Sequence, residues 1–406
     1  MRLCKKFNIF LIGIACAHIS AASPHIQPDT LLSSQQWQNI PKEELISLIA
    51  LRKREIADIK ESWRPLIAKM TAQNAPWHDS TQYLQSVLAK GKLVPCPHGS
   101  GSAYFLFDAL NKPRFVVKPF DEDMLCLNNR KHRASPFRDE NHRIRAAIPL
   151  YQSPERELAA SLVASLLDMP DITPSTILAI IQSDAFFDIS ESLDGENGET
   201  FFRNIGPPDK EKLCSVQPFF PEAMEIVEAI HEWFEAGLEH PGEIFPFDQE
   251  SYENANLLIW ATYDCDGHGS NFLLYLHSLD SKGKALYGLK KIDNGLCFPT
   301  SNKYLMNYLG YLPNAKLPLS PALRNKIANM DSTAIVDTLS TFRLHDAADA
   351  AAVRLSILKT LAQHPNMTIG EMNLRMELLA LPQGEQLALK ESTREELEEL
   401  VLHKKT

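Results

Sequence analysis

Cysteine is scarce and unpatterned in this 406-residue sequence. Of the seven, Cys4 and Cys16 stand near the start, and Cys96, Cys126, Cys214, Cys265 and Cys297 are widely scattered. No Cys-x-x-Cys pair occurs and no histidine stands at zinc-ligand spacing, which excludes a disulfide framework and a zinc knuckle. Basic excess is also missing. A formal net charge of −10 gives no global footprint for nucleic acid, so contact with an anionic surface has to come from a local patch. Beyond residue 22 no apolar run approaches bilayer-spanning length, so no transmembrane segment is expected in the mature chain. Internal repeats and low-complexity tracts are absent as well. What remains, with 44% hydrophobic and 23% charged residues, has an ordinary globular composition and is long enough for two lobes around a cleft.

Residues 1–22 have the pattern of an export leader. Arg2, Lys5 and Lys6 form a basic start, Ile9 to Ala17 a short apolar core, and Ser20-Ala21-Ala22 a small-residue cleavage site. An exported or secreted protein is therefore expected, and one delivered into a host cell would find ATP there. Residues 23–92 read as a helical extension. One helix starts near Pro41 with an apolar stripe of Leu45, Leu48, Ile49, Ile56, Ile59 and Trp63, and Pro65 is expected to end or kink it. A second helix opens at Asp79 or Ser80 and carries Tyr83, Leu84, Val87 and Leu88.

From residue 93 the texture turns to strands. Tyr104–Phe107 and Arg114–Lys118 form a hairpin through Asn111-Lys112-Pro113, and a polar insert at 121–150 separates it from a helix at 154–168. Strands follow at Ile177–Ile181 and Lys212–Gln217, divided by an acidic loop at 194–199. After residue 221 the pattern is helical, interrupted by a hairpin of Phe272–Tyr275 and Tyr287–Ile292. The expected fold is α+β and two-lobed, with a small β-rich N-lobe at 93–220 and a larger helical C-lobe at 221–380. A helical tail spans 381–406, with a capping-box pattern at Ser392–Glu395.

Phosphoryl transfer requires donors around phosphates, oxygen ligands for magnesium and a group that orients the acceptor hydroxyl. Candidates for all three occur in order. Gly99-Ser100-Gly101-Ser102 is a run of small residues whose backbone N–H groups can approach phosphate oxygens, although no Gly-Lys-Ser/Thr follows to make a Walker A loop. Lys118 ends an apolar strand and can bind phosphates as a point charge. Glu157, with Glu155 as a rival, lies on the next helix, where an acid would hold that lysine. Asp266 and Asn271 stand five apart after an apolar helix at Asn254–Tyr263, the spacing of a carboxylate that orients an acceptor and an amide that holds a metal. The hairpin that starts at Asn271 returns to Asp293, so the two can share one Mg2+, which prefers oxygen ligands. Read singly, the glycine run is an ordinary turn and Lys118 a solvated edge lysine; the ordered set is what argues for an ATP- and Mg2+-dependent site.

The landmarks resemble the catalytic domain of the phosphatidylinositol 3-/4-kinases, and most of all the type II phosphatidylinositol 4-kinases. Asp293-Asn294-Gly295-Leu296-Cys297-Phe298-Pro299 resembles the family's DNGLxFP segment, and Tyr311–Pro318 its WLPxAKxP run. Gly99–Phe105, Val116–Pro119, Glu157–Leu162, Ile172–Thr176 and Ser215–Gln217 are similar to its glycine loop, lysine strand, glutamate helix, VPxT step and hinge. The resemblance covers residues 97–340. It implies that Lys118 binds the α/β-phosphates and pairs with Glu157, that Asp266 is the acid/base, and that Asn271 and Asp293 hold Mg2+. Gln217 and Pro218 would mark the adenine hinge through backbone groups. The implied activity is transfer of the γ-phosphoryl group to an inositol hydroxyl of phosphatidylinositol.

Three departures keep alternatives open. Gly267 stands where the family has arginine, and His268 gives the loop a DxHxxN form shared with HipA-like serine/threonine kinases, which makes His268 a rival acid/base. The insert has only Cys126 in place of the family's palmitoylated cysteine cluster. It carries Arg130, Lys131, Arg133, Arg138, Arg143 and Arg145 instead, a patch for an anionic membrane surface or an ordinary solvated loop. Tyr304, Tyr308 and Tyr311 replace much of a Trp-rich segment. A protein kinase, or a weakly active nucleotide-binding module working by interaction, is the alternative function.

Overall fold

The computed structural model describes residues 41–73, 75, 77–97, 99, 101–131, 148–192, 203–235, 244–301 and 305–380. The leader at 1–22, Ser100, Arg133, Arg138, Arg143, Arg145, the loop at 194–199, Tyr304 and the capping pattern at 392–395 lie outside them. The chain divides into a short unit, Met1–Leu45, described only from residue 41, and a compact unit, Ile46–Thr406.

Helix α1, Lys42–Met70, follows Pro41 and buries Ile49, Ile56, Lys60, Trp63 and Met70. It continues past Pro65, so the proline does not end it. Proline removes the N–H that would bond the Glu61 carbonyl; one residue on, Arg343 donates to the Ser62 carbonyl at 2.8 Å and to its hydroxyl at 2.6 Å. Toward the strands, Lys53 pairs with Asp188 at 3.0 Å and Lys60 with Asp209 at 2.7 Å. Helix α2 spans His78–Leu88.

The first sheet has strands β1 (Lys92–Pro95), β2 (Tyr104–Phe107), β3 (Pro113–Pro119), β4 (Ile177–Gln182) and β5 (Glu211–Pro218), in the order β1-β2-β3-β5-β4. All neighbours are antiparallel. β1 escapes the sequence reading because four half-exposed residues ending in proline show no alternation. The β2–β3 turn is held by Asp108, whose carboxylate accepts from the backbone of Leu110 and Lys112 at 2.9 Å each and from Arg114 at 2.7 Å. Leu84 and Val87 of α2 pack with Tyr104, Phe115, Val117, Ile177 and Val216 as the core of this lobe.

Helix α3, Ser153–Leu166, opens with Pro154 in its first turn. Its Ala159, Ala160, Val163 and Ala164 join the larger core below rather than that of the sheet. A second sheet, β6 (Met224–Glu225), β7 (Phe272–Leu279) and β8 (Ala285–Lys291), flanks α4 (Ile226–Glu235) and α5 (Gln249–Thr262). α5 starts five residues before the apolar pattern because Asp248 caps it, accepting from the Ser251 backbone at 2.8 Å. It is buried all round, as a central helix must be, and Tyr263 ends it in the left-handed region with φ 49°. Helices α6 (Pro321–Asn329), α7 (Ser332–Thr341), α8 (His345–Ala362) and α9 (Ile369–Glu377) complete the half, α9 starting in a Thr368/Glu371 capping box. A small antiparallel sheet followed by a larger helical half, with one helix inserted between β3 and β4, is the two-lobed α+β arrangement of kinases.

Candidate active site

β3 alternates, so Phe115 and Val117 enter the core while Val116 and Lys118 face the other side. There the Lys118 ammonium pairs with Glu157 of α3 and reaches Asp293 Oδ1 at 2.9 Å. Burial alone would lower the lysine's pKa, but the Asp293 and Glu157 carboxylates outweigh it and hold it above the ordinary value. Asp293 itself has φ 58°, and although enclosure in the cleft would raise it, Lys118 holds its carboxyl below the usual range.

Glu157 is 1% exposed and serves as a hub. While one oxygen holds Lys118, the other accepts from the Gln217 side chain at 2.6 Å and from the Asn294 backbone at 3.1 Å. Gln217 is fixed in turn by Thr176 at 3.0 Å. One carboxylate thereby ties β3, β5 and the Asp293 segment to α3. Gly295 allows this approach, since a Cβ there would stand 2.9 Å from Ser153 Cβ. Glu155, the rival acid, points elsewhere, into a pocket lined by Trp63, Tyr151 and Arg343.

The catalytic-loop candidates follow α5. The Asp266 backbone donates to the Asp264 carboxylate at 2.9 Å, and the Asn271 side-chain amide donates to the Asp266 carbonyl at 2.6 Å and to its carboxylate at 3.3 Å. Burial first, then the charges of Asp293 and Asp264, push the Asp266 carboxyl up to about 7. That suits a group exchanging protons near neutrality. His268 lies beside it, 3.8 Å from ring nitrogen to carboxylate, its own pKa lowered by burial and by Lys291. The Ile292 backbone donates to the Asn271 carbonyl at 2.9 Å, which joins the two ends of the β7–β8 hairpin beside Asp293.

Among the described residues no group of three or more His, Cys, Asp or Glu side chains forms a metal cage. Asn271 commits its NH2 to Asp266, which leaves its side-chain oxygen as the acceptor for a cation, and Lys118 holds the Asp293 carboxyl below the usual range. One amide and one carboxylate oxygen fit Mg2+, which keeps waters and takes its remaining ligands from phosphates.

Other candidates are placed less directly. Gly99, Gly101 and Ser102 form the β1–β2 turn, where the Ser102 backbone N–H is already committed to the Glu122 carbonyl at 3.0 Å. Gly101 lies against Asp123, to whose carboxylate a Cβ would come within 3.0 Å. Gln217 pairs with Val116 and Pro218 with Phe115, and the Gln217 side chain belongs to Glu157. Antiparallel alternation turns the Pro218 carbonyl away from β3, past the end of β4. The start of the insert is folded inward: Asp121 and Glu122 hold Lys212 at 2.9 and 3.1 Å, Arg130 donates to Tyr104 and to the Ala185 carbonyl at 2.6 Å each, and Lys131 donates to the Gly99 carbonyl at 2.9 Å.

Sequence reasoning missed Asp264, Lys291 and the side-chain role of Gln217. The available signal was the Asp264-Cys265-Asp266 repeat, with a second acid two residues before the first candidate.

Gly267 departs from the resembled family for a steric reason. It bridges Asn307, and a Cβ would come 3.2 Å from the Met306 carbonyl carbon and nearer still to its oxygen. Any side chain there has to displace the Met306 backbone.

No protein-family model matches the chain. Over 241 residues it is 25% identical to phosphatidylinositol 4-kinase gamma 6 of Arabidopsis thaliana, covering 59% of this chain and 35% of that protein. Over 310 residues it is 24% identical to phosphatidylinositol 4-kinase gamma 1 of the same plant, covering 75% and 49%. The chain thus spans between a third and a half of the length of these curated relatives. At such identity the likeness supports a distant relation to the phosphatidylinositol kinases as a broad group.

Proposed function

We propose that this protein transfers the γ-phosphoryl group of ATP, with Mg2+, to an inositol hydroxyl of phosphatidylinositol. The observation that carries the reading is the meeting of Lys118, Glu157 and Asp293 beside a loop that couples Asp266 to Asn271. In this role Lys118 binds the α/β-phosphates, the Gly99–Ser102 turn covers them, and the backbone at Gln217 and Pro218 takes the base. Asn271 and Asp293 hold Mg2+, which supplies charge neutralisation at the phosphates. Asp266 accepts the proton of the attacking hydroxyl as its oxygen bonds the γ-phosphorus and the bond to the ADP oxygen breaks. His268 is the alternative acceptor of that proton. The lipid acceptor is supported by the distant likeness to proteins named phosphatidylinositol 4-kinases. Residues 1–22 act as an export leader in this reading, and the basic insert at 121–150 supplies the contact with an anionic membrane.

The test is transfer from labelled ATP with Mg2+ by the full chain, offered phosphatidylinositol vesicles and a general protein substrate separately. Asp293→Ala serves as the blank. Label in lipid that vanishes in the blank supports the reading. Label in protein alone replaces it with a Ser/Thr kinase, and nucleotide binding without transfer replaces it with a binding module.

A further inference from the structure

Lys291 closes β8 and is 1% exposed. Its ammonium meets three oxygens: Asp264 Oδ2 at 2.8 Å, the Ile292 carbonyl at 2.7 Å and the Asp293 carbonyl at 3.2 Å. The two carbonyls accept its hydrogen bonds, and the Asp264 carboxylate is its ion-pair partner. Asp264 is fully buried and works on the other side. Its Oδ1 accepts from the Asp266 backbone at 2.9 Å, and its own carbonyl accepts from the Met306 backbone at 2.9 Å. The pair therefore links two stretches distant in sequence, the loop that presents Asp266 and the segment that presents Asp293.

Such a pair is a poor device for stability alone. Desolvating both charges costs several kcal/mol, and apolar residues of similar volume often do as well or better. What an ion pair adds is a fixed geometry and a fixed charge. The neighbouring position 267 supplies no cation, and any side chain there has to displace the Met306 backbone.

We infer that Lys291, acting through Asp264, is a positioning residue for phosphoryl transfer, holding the Asp266 loop and the Asp293 segment at one fixed separation. The inference rests on the function proposed above. Lys291 touches neither acceptor nor nucleotide in this role; it sets where Asp266 and Asp293 stand.

The experiment compares wild type, Lys291→Met and Asp264→Asn/Lys291→Met as full chains. It measures kcat, KM for ATP and thermal melting in the labelled-ATP assay. The single variant leaves the Asp264 charge buried without its partner and is expected to melt lower; the double variant removes both charges and is expected to regain most of that loss. In both, kcat is expected to fall about 100-fold, the scale of a misplacement near 1 Å, while KM for ATP stays within about threefold because Lys118 is untouched. Recovery of kcat together with melting in the double variant overturns the inference, because the pair is then merely structural. Undiminished kcat in the single variant overturns it too, as does loss of a cooperative melting transition in both, which assigns the pair to the fold. Absence of transfer by the wild type itself overturns the proposed function and this role with it, and is distinguished by occurring before any substitution.

Discussion

Placing an arginine at position 267 is expected to harm this protein rather than improve it. Gly267→Ala isolates the steric part. Its Cβ would press on the Met306 carbonyl group, with the carbonyl carbon at 3.2 Å and Asp264 Oδ2 at 3.4 Å. Both neighbours are fixed: the Met306 backbone donates to the Asp264 carbonyl at 2.9 Å, and the Tyr308 backbone donates to the Gly267 carbonyl at 2.8 Å. Overpacking against rigid backbone costs about 1–3 kcal/mol. Loss of one of these hydrogen bonds adds about 1 kcal/mol. With an unfolding entropy of about 2.1 cal/mol/K per residue, a loss of about 3 kcal/mol lowers the Tm of a domain of about 360 residues by about 4 °C. The strand of loop that shifts also presents Asp266 and His268, so kcat is expected to fall by about 100-fold. Gly267→Arg has the same Cβ and a longer side chain, and is expected to melt no higher than the alanine variant. Differential scanning calorimetry and the labelled-ATP assay on the three proteins measure both effects. An alanine variant that melts within a degree of wild type, or an arginine variant that transfers phosphate faster, would refute the steric account.

Three further outcomes are expected. Gln217→Leu removes one of the donors to Glu157 Oε2, with an expected loss of about 1–3 kcal/mol from the poorly satisfied buried carboxylate and a drop in kcat/KM; urea unfolding and steady-state kinetics check it, and unchanged values in both would sink the hub role of Glu157. Glu155 has a carboxyl raised to about 7 by burial, and one of its oxygens has no hydrogen-bond partner among the described residues. A carboxyl with a folded pKa above its unfolded one binds more protons when folded. Stability therefore falls as pH rises from about 4.3 toward 7, by at most about 3 kcal/mol. Glu155→Gln should flatten that decline in melting curves between pH 5 and 8, and parallel curves for the two proteins would contradict it. Lys60→Met strips Asp209 and the Glu211 carbonyl of an ammonium at 2.7 and 2.8 Å, and a fall of about 1–3 kcal/mol is expected in urea titrations; a gain in stability would show the pair to be dispensable.

The parts of this protein that could be read from sequence are those where one stretch carries its own signal. The hairpin of β2 and β3 shows in its alternation and in Asn111-Lys112-Pro113, and the buried α5 in its apolar run. Asp266 and Asn271 are close in sequence, so their spacing is visible. The partners of Glu157 are not. Gln217 lies 60 residues from Glu157, and nothing in Ser215-Val216-Gln217 says that its amide turns inward rather than marking a strand end. Lys291 looks like any lysine at the end of a strand, and only the fold shows Asp264 waiting for it. Pro65 marks no boundary either: the helix continues past it, and the guanidinium bound to the Ser62 turn comes from position 343.

Helix α1 has a consequence in time as well as in space. Its Ser62 turn is closed by Arg343, 281 residues later in the chain, and its lysines by Asp188 and Asp209, more than a hundred residues on. At about 5–20 residues per second of synthesis, the Arg343 partner arrives about 15–55 s after Ser62 is made. Through that interval a helix with Trp63 on its sticky side has emerged from the ribosome without the surface meant to cover it. The earliest of the described helices is thus among the last to be locked, and its apolar side waits longest for its cover.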